Sequence, residues 1–394
     1  MNIRIAAGLM LCLALQTSVA QESVNPPTLK LDRIPSAPAF AGQTRAPAAP
    51  LSRYRVETLA DGLSAPWAIA FLPGNEILIA ENSTGNFRIL DSSGSLTGPL
   101  AGMPEISHEG WSGLFDVALD PDFSENQLLY FVYTAASGVA EAPNIPRVAR
   151  ARLNRQALRL DSVDVILEGA WQELHFAPDG KLLVPGTAAD GDGQDLSSLS
   201  GKVLRISSDG SIPRDNPWAS NENVPSAIFT LGHRDISGFA THPVTGEIWA
   251  TEHGPRGGDE INVINPGANY GWPIISYGTD YSGEPVGDGA TQQDGMEQPL
   301  YFWRPSIAPS GLMFYTGDLF PEWRGNLFVS ALSGQHIARL VLDGRRVIAE
   351  ERLLVDREQR IRELRQGPDG ALYALTNEES DAPKGFAQLL RISK

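Results

Sequence analysis

The feature that most constrains the fold of this chain is one turn motif that occurs six times. In each copy a proline ends an apolar stretch and introduces a short run typical of a strand. The six prolines are Pro73, Pro121, Pro178, Pro243, Pro321 and Pro368, so successive copies lie 47 to 78 residues apart. Spacings of about 45 residues or more suit one four-stranded blade per repeat. The repeat therefore predicts an all-β fold, a six-bladed β-propeller.

The segments between the turns agree with this prediction. Short apolar or alternating runs recur, such as Leu128–Tyr133, Lys202–Ile206 and Ile337–Leu342, and no segment sustains a period of about 3.6 residues. A β-sandwich is the alternative, but it does not require six copies of one turn. Propeller ligands bind on the axis, where loops from every blade meet. A functional site should therefore combine residues from many of the six repeats.

The N-terminal residues are expected to lie outside the propeller. Residues 1–20 contain a cation, an apolar run and a small-x-small ending, Ser18-Val19-Ala20, as in a secretory signal peptide. The run is too short to span a membrane, and a buried first helix is the alternative. Residues 21–52 are rich in Pro and Ala and are predicted to be a disordered or extended linker. Residues 53–394 then form the propeller domain.

Cysteine usage and charge narrow the function classes. The single cysteine, Cys12, lies in the predicted signal peptide, so the remaining chain has no disulfide, thiolate nucleophile or zinc–thiolate site. An exported protein without disulfides suits a bacterial periplasm or secretion. The formal net charge of −16 argues against nucleic acid or an anionic membrane as a partner. The same excess of carboxylates fits a hard cation such as Ca²⁺.

Sequence signatures of several enzyme classes are missing. The chain contains no GxSxG, HExxH, P-loop, or GxGxxG between a strand and a helix. Serine hydrolase, zinc protease, nucleotide-binding and NAD-dependent interpretations therefore have no support.

The richest loop region is Leu231–Pro273, which holds three histidines and five acidic residues. Within it, the glycines of Gly254–Glu260 permit backbone carbonyls and carboxylates to approach a cation closely. Glu260, the Tyr270 carbonyl and Asp280 could complete an oxygen cage for Ca²⁺. A solvated acidic loop is the alternative interpretation.

Four basic residues are further candidates for ligand binding or catalysis. Arg360 and Arg362 alternate on a predicted strand, so both would face one side, which suits a ligand with several carboxylates. A surface ion-pair face is the alternative. Arg234 follows a predicted strand, where propeller loops enter the axis. His175 is expected to pack between blades rather than to act in catalysis.

Together these motifs resemble the soluble sugar dehydrogenases that depend on pyrroloquinoline quinone (PQQ), the aldose sugar or glucose/sorbosone dehydrogenase family. The resemblance covers roughly residues 56–393. Its most specific pieces are Gly232-His233-Arg234, the EHGPRGGDEIN and NYGWP stretches of residues 249–273, residues 305–311, residues 194–206 and residues 360–370.

The resemblance implies a six-bladed propeller that oxidises the C1 hydroxyl of an aldose to a lactone. In the family a histidine is the base, hydride passes to the quinone, and Ca²⁺ and arginines hold the cofactor. By position, the resemblance implies that Arg234 lies against PQQ, that the carbonyls of Gly254 and Pro255 hold the cofactor Ca²⁺, and that Ser306 stands where the family has Thr or Ser. Arg360 and Arg362 would pair with cofactor carboxylates, and Glu260, Tyr270 and Asp280 match a separate structural calcium site.

The departures from the family pattern concern proton transfer and sugar contact. The family's histidine base falls on Gly169, which cannot accept a proton, and the weak candidates to replace it are Glu168, Asp235 and His175. Other family positions are changed as well: the sugar-contacting Gln is Trp111, the Asn after His-Arg is Asp235, and Ser237, Thr187 and Ser333 replace a Gln, an Asp and a basic residue. Loss of a general base typically costs about 10²–10⁴ in rate.

Two functions follow as hypotheses. The first is a PQQ- and Ca²⁺-dependent sugar dehydrogenase with an altered site, acting on a small sugar or polyol and passing electrons to a soluble acceptor. The second is a catalytically degenerate propeller that keeps Ca²⁺ as a structural element and binds a ligand or protein without redox chemistry. A calcium-dependent lactone hydrolase is a third, but it needs an axial Ca²⁺ held by side chains of several blades, and the sequence shows no such set.

Overall fold

The computed structural model describes residues 37–110, 112–136, 144–169, 172–188, 191–377 and 386–394, and the backbone of Gln21 and Glu22. The predicted signal peptide and Trp111 lie outside these residues. The described chain folds into six antiparallel sheets, each built from strands that are consecutive in sequence except where the ring closes. The predicted six-bladed, all-β propeller is confirmed.

The strands in chain order are β1 (Gln21–Glu22), β2 (Arg53–Leu63), β3 (Pro66–Leu72), β4 (Glu76–Glu81), β5 (Asn86–Leu90), β6 (Leu114–Leu119), β7 (Leu128–Ala135), β8 (Ile145–Asn154), β9 (Arg159–Glu168), β10 (His175–Phe176), β11 (Leu182–Pro185), β12 (Lys202–Ile206), β13 (Ile228–Leu231), β14 (Ile236–Thr241), β15 (Ile248–Glu252), β16 (Asp259–Val263), β17 (Tyr301–Trp303), β18 (Pro309–Phe314), β19 (Leu327–Ala331), β20 (His336–Asp343), β21 (Arg346–Leu353), β22 (Arg360–Gln366), β23 (Leu372–Asn377) and β24 (Ala387–Ser393). The helices are short: α1 (Phe123–Asn126) and 3₁₀ turns at Asp192–Gln194, Pro321–Trp323 and Val355–Arg357. The described residues include no helix long and apolar enough to cross a membrane.

Consecutive strands form the blades. Strands β3–β5 make blade 1, β6–β9 blade 2, β10–β13 blade 3, β14–β17 blade 4 and β18–β21 blade 5. Blade 6 combines β22–β24 from the C-terminus with β2 from the N-terminal side, and Val56 pairs with Ile392 in this shared sheet. This pairing closes the ring and covers a strand edge that would otherwise be open to other chains.

Each of the six proline turns connects the first strand of a blade to the second. These first strands line the axis, where those of blades 4, 5, 6, 1 and 2 pack on one another in order. In the third and sixth copies, Gly180 (φ +74°) and Gly370 (φ +78°) close the turn by donating their N–H to the carbonyls of Ala177 and Gly367. A left-handed residue there favours glycine. The sequence repeat thus marks one end of the axis.

Five of the six first strands carry a β-bulge near the opposite end of the axis, in β3, β6, β14, β18 and β22. A bulge re-aims the extra residue. The Ser237 hydroxyl donates to the Pro309 carbonyl of the next blade at 2.6 Å. The Ser310 hydroxyl in turn donates to the Arg362 carbonyl at 2.7 Å. Bulged residues therefore join successive blades around the axis.

Larger side chains extend these contacts between successive blades around the axis. The guanidinium of Arg362, the bulged residue of blade 6, lies 3.9 Å from the ring centroid of Trp67 in blade 1. Trp67 is itself the bulged residue of β3 and makes an edge-to-face contact with Phe115 of blade 2, with centroids 4.9 Å apart. Trp67 therefore packs between blades, and it also borders the candidate site.

The second half of the predicted linker is fixed on the propeller. Gln43 is fully buried, its side chain donates to the Pro299 carbonyl, and its own carbonyl accepts from Phe302 of blade 4. Ala49 then donates to Glu350 of blade 5 at 2.8 Å. Of the two predicted alternatives, a disordered or an extended linker, disorder does not describe residues 37–52, which turn at residues 39–44 and are held on the propeller by backbone hydrogen bonds. The division into domains at residues 20 and 52 stays a prediction.

Candidate active site

Arg234 stands at the entrance of blade 4, in the tight connection between β13 and β14. Gly232 precedes it with φ +79°, and a Cβ at that position would clash with the side chain of Asn269. The backbone N–H of Arg234 donates to Glu252 at 3.0 Å, and one terminal nitrogen donates to the Gly254 carbonyl at 3.0 Å. Its buried Nε has no partner in the described protein. Arg234 is thus held in place, and its Nε remains available to donate a hydrogen bond.

Arg362 is the second buried arginine of the candidate site and is 9 % exposed. Burial lowers the pKa of its guanidinium to about 10, which still leaves it charged at neutral pH. Neither its Nε nor the indole N–H of Trp67 beneath it has a partner among the described residues. Buried donors without acceptors are costly, so these groups indicate a ligand rich in acceptor atoms.

Arg234 and Arg362 belong to the same end of the axis. Asp235, next to Arg234, lies close enough to stabilise the charge of Arg362, and Arg360 lies close enough to oppose it. The Asp235 carboxylate also accepts from the Thr187 hydroxyl at 3.1 Å. The structure therefore gathers Arg234 at the start of blade 4 with Arg360 and Arg362 of blade 6 at one end of the axis. We call this group the arginine layer.

Asp259 fastens the loops around this end. It is fully buried, and its carboxylate accepts four hydrogen bonds, from the backbone N–H groups of Gly254, Ile307 and Ala308 and from the hydroxyl of Ser306 at 2.7 Å. The hydroxyl of Ser306 is therefore directed at Asp259. Sequence reasoning did not assign a role to Asp259, although it lies within the EHGPRGGDEIN stretch.

A small polar cavity of about 20 Å³ lies beside Arg234. Glu252, Glu260 and Tyr270 line it, and the Asn262 side chain donates to both glutamates, at 2.8 and 3.0 Å. Burial, together with the charge of Glu252, raises the pKa of Glu260 well above its ordinary value. A buried and a half-buried carboxylate around one small cavity are the arrangement that a cation would relieve.

The predicted calcium residues do not all meet. Glu260 and Tyr270 line the cavity, but Asp280 does not; it is exposed and accepts from the Ser282 N–H at 2.8 Å. In the described residues no three His, Cys, Asp or Glu side chains are grouped closely enough to hold a metal ion. The cavity instead adds Glu252, which sequence reasoning missed.

The comparison with known proteins explains this arrangement. A family model described as Glucose / Sorbosone dehydrogenase matches residues 63–390. The chain belongs to the glucose/sorbosone dehydrogenase family.

Relatives with assigned activities support the membership. The chain is 36 % identical over 352 residues to aldose sugar dehydrogenase YliI of Escherichia coli, covering 86 % of this chain and 92 % of the relative. It is 33 % identical over 261 residues to quinoprotein glucose dehydrogenase B of Acinetobacter calcoaceticus, covering 58 % and 54 %. The PQQ-bound aldose sugar dehydrogenase of Streptomyces coelicolor superposes with a TM-score of 0.71 at 27 % identity, covering 89 % and 99 %.

Gly169, at the family's base position, and the neighbouring candidate base Glu168 both lie away from the arginine layer. Gly169 directly follows the outermost strand of blade 2, and its N–H donates to the Pro146 carbonyl. Glu168 is exposed on the same strand and pairs with Arg147 at 2.8 Å. Neither residue is directed at the axis by its contacts, so Glu168 loses support as a replacement base.

His175 also lies away from the arginine layer. Its Nε2 is 2.8 Å from the Thr241 hydroxyl and its ring stacks on Phe239. Burial lowers its pKa to about 4, so the ring is neutral at pH 7. These contacts favour the packing interpretation. Of the three weak candidates, only Asp235 lies beside the arginine layer.

The structure also shows the contacts of three other positions that depart from the family pattern. Thr187 is bound to Asp235, Ser237 is bound to the next blade, and Ser333 is exposed in the turn between β19 and β20. None of these three supplies a base. Sequence reasoning also missed three buried carboxylates on the axis: Asp116, Glu173 and Glu363. The positions of Asp116 and Glu363 depend on where bulges fall in β6 and β22.

Proposed function

We propose that this protein is a PQQ-dependent dehydrogenase that oxidises the C1 hydroxyl of an aldose or related sugar to the lactone. The observation that carries the proposal is the arginine layer, with its unpartnered buried donors on Arg234, Arg362 and Trp67. Family membership and the PQQ-bound relative support the same cofactor.

The residues present fit PQQ. Its three carboxylates and quinone oxygens are acceptors, and a polycarboxylate is bound best by planar, permanently charged guanidinium groups. Arg234, Arg360 and Arg362 would hold these groups, while the ring of Trp272, 5.4 Å from the Arg234 guanidinium, gives the site an aromatic wall. The bound cofactor would supply the hydride-accepting carbon. The protein would orient the sugar's C1 against it and exclude water.

Ca²⁺ is proposed as the second cofactor. By the resemblance to the family, the carbonyls of Gly254 and Pro255 would hold the cofactor calcium. The Gly254 carbonyl accepts from Arg234, and a carbonyl oxygen keeps a second lone pair for a cation. The Glu252 and Glu260 carboxylates offer a further site that suits a hard cation in charge and ligand type.

The physiological setting is proposed with the function. The substrate would be a small sugar or polyol and the oxidant a soluble electron acceptor. The predicted signal peptide and the absence of cysteine after Cys12 support a periplasmic or secreted protein.

Titration of the Ca²⁺-loaded apoprotein with PQQ tests this function. We expect the absorbance of PQQ to change up to one equivalent, and the loaded protein to reduce a redox dye with at least one aldose, with the lactone identified by mass spectrometry. A protein stripped with a chelator is the matched control.

A specific observation favours the alternative function: Gly169 carries no base, and the described sugar-contact positions are changed. A calcium-stabilised propeller without redox activity predicts no absorbance change with PQQ and no dye reduction across a broad sugar panel. It also predicts a melting temperature that depends on Ca²⁺ but not on PQQ.

A further inference from the structure

Lys202, the first residue of β12 in blade 3, is completely buried. Lysine is almost never fully buried unless its charge is compensated. The ammonium of Lys202 donates to three backbone carbonyls, those of Asp192 at 3.1 Å, Gly193 at 3.0 Å and Ser200 at 2.7 Å. An ammonium has three N–H donors, so these carbonyls use its whole hydrogen-bonding capacity.

The ammonium is a fixed cation inside one loop. Burial lowers the pKa of Lys202 to about 8, and the charges of Asp195 and Asp192 act in the opposite direction, so the group is charged at pH 7. Hydrogen bonds from a charged donor are stronger than those between neutral groups. The carbonyls come from both ends of the connection between β11 and β12, whose described residues, 186–188 and 191–201, we call the blade 3 loop. Lys202 therefore draws this loop together.

Backbone hydrogen bonds join the blade 3 loop to the segment of Arg234. The Gly232 N–H donates at 3.0 Å to the carbonyl of Gly193, which also accepts from Lys202. The Ala188 N–H donates to the carbonyl of Arg234 itself at 2.7 Å. One carbonyl thus connects the buried ammonium to the tight connection from which the Arg234 side chain extends.

The blade 3 loop also holds Trp272. The indole N–H of Trp272 donates to the Ala188 carbonyl at 2.7 Å, and the Gln194 side chain donates to the Trp272 carbonyl at 2.8 Å. A Cβ at Gly193 would clash with that same carbonyl, so the loop and Trp272 are in close contact. Because the Trp272 ring lies 5.4 Å from the Arg234 guanidinium, the loop supports both the charged group and its aromatic neighbour.

Resting on the proposed dehydrogenase function, we propose that Lys202 is a positioning residue of the cofactor site. Its ammonium gathers the blade 3 loop, and the loop sets Arg234 and Trp272 for cofactor binding. Lys202 acts through the Gly193 carbonyl and the loop, whereas the arginine layer would contact the ligand itself. Without the ammonium, three carbonyls would converge with no donor between them, and the loop should relax away from this arrangement.

The decisive variant is Lys202→Ala, because the atoms that it removes are those of n-propylammonium. We expect the Kd of the Ca²⁺-loaded protein for PQQ to rise about tenfold, and added n-propylammonium to restore it. 1-Propanol has the same length without the charge and should not restore the Kd. Tryptophan fluorescence quenching measures the Kd in each case.

Two further variants serve as controls. Lys202→Met fills the space with an uncharged side chain, so its Kd should rise and should not respond to n-propylammonium. Lys181→Ala removes a half-buried lysine at the proline-turn end of the same blade and should leave the Kd unchanged. If Lys202→Ala does not fold, Lys202→Gln, which removes the charge but keeps a polar donor, is measured in its place and should also raise the Kd.

A spectroscopic readout does not depend on the cofactor. In apoprotein labelled with 5-fluorotryptophan, the fluorine resonance of Trp272 can be assigned by its absence from Trp272→Phe. This resonance should shift or broaden in Lys202→Ala and return to its wild-type position with n-propylammonium. A lysine that contributed only to overall stability would leave the resonance of the folded variant unchanged.

The two proposals fail differently. If the wild type binds PQQ, an unchanged Kd in the folded Lys202 variant would overturn the positioning role and leave the dehydrogenase function intact. A raised Kd that n-propylammonium does not restore, or that 1-propanol restores equally, would overturn it as well.

A wild type that neither binds PQQ nor oxidises any sugar would overturn the dehydrogenase function. The fluorine spectra then decide the role of Lys202 alone. A changed Trp272 resonance in Lys202→Ala would support control of the loop by the ammonium, and an unchanged resonance would overturn it.

Discussion

The two sides of the axial site differ in what they have kept. On the side of blades 4 to 6, Arg234, Arg362 and the loops around Gly254 are in place, and Asp259 fixes those loops with four hydrogen bonds. We call this the cofactor side. On the side of blades 2 and 3, which we call the substrate side, Gly169 offers no base. The buried acids Asp116 and Glu173 lie deeper on the axis.

This difference teaches that anion binding and proton transfer are separable in one propeller. Anion binding needs several guanidinium groups aimed at one site, and the closed ring holds those of blades 4 and 6 at the same end of the axis. Proton transfer needs only one group of suitable pKa with a path to water. Under the proposed function, a loop residue could therefore be lost on the substrate side while the cofactor side still binds an anion.

The largest effect is expected from breaking the cofactor side at Asp259. Asp259→Ala leaves three buried N–H groups and a hydroxyl without their acceptor, and should lower the free energy of unfolding by about 4 kcal/mol. Denaturant titration followed by circular dichroism measures this. Asp288→Ala, at an exposed position of a neighbouring loop, should stay within about 0.5 kcal/mol of the wild type. Equal effects of the two substitutions would show that Asp259 does not fasten the site.

The next effect concerns ligand binding by the arginine layer. Arg362→Ala removes charge-assisted hydrogen bonds and should raise the Kd for PQQ about a hundredfold without loss of folding. Titration by tryptophan fluorescence quenching gives the Kd. Arg346→Ala removes an exposed arginine of blade 5 and should leave the Kd unchanged. If both variants bind PQQ equally well, the cofactor lies elsewhere.

Calcium removal distinguishes the observed cavity from the predicted three-residue site. At a Ca²⁺ concentration of about 100 Kd, binding adds about 2.7 kcal/mol to stability, so a chelator should lower the Tm of the wild type. Glu260→Gln should reduce this chelator shift, because it removes one carboxylate from the cavity. Asp280→Asn should retain it, because Asp280 does not line the cavity. Loss of the shift in Asp280→Asn would instead support the site expected from the sequence.

The smallest effect is a change in pH dependence at Glu363, one of the three buried carboxylates on the axis. Burial raises the pKa of Glu363 to about 7, above its unfolded value, so the folded state binds the proton more tightly. The stabilising contribution is therefore complete below the unfolded pKa and is lost as the pH rises towards 7. Glu363→Gln should make the loss of stability between about pH 5 and pH 8 smaller by about 2 kcal/mol.

Chemical denaturation at several pH values measures this change, and Glu284→Gln, at an exposed position, serves as the control. An identical pH dependence of stability in the wild type and in Glu363→Gln would mean that the pKa of Glu363 is not raised in the folded protein.

The sequence by itself determined the architecture. Six proline-centred turns mark the ends of six first strands, because proline fixes its own φ and cannot donate to a continuing ladder. It also determined the family, since the motifs around Gly232–Arg234 and Gly254–Glu260 are local and continuous. Such motifs carry their chemistry in neighbouring residues, and so they can be recognised without knowledge of the fold.

Only the tertiary structure decided which side chains meet on the axis. A bulge in β22 re-aims Arg362 towards Trp67 and is followed by Glu363, and a bulge in β6 falls at Phe115 and Asp116, yet nothing in either local sequence marks these bulges. Asp280 is predicted from its spacing to be a calcium ligand but does not line the cavity beside Glu260. Glu252 does line it, and the Asn262 side chain donates to both glutamates. Sequence spacing fixes neighbours along a strand. Contacts between blades depend on register shifts and ring closure, which only the folded chain sets.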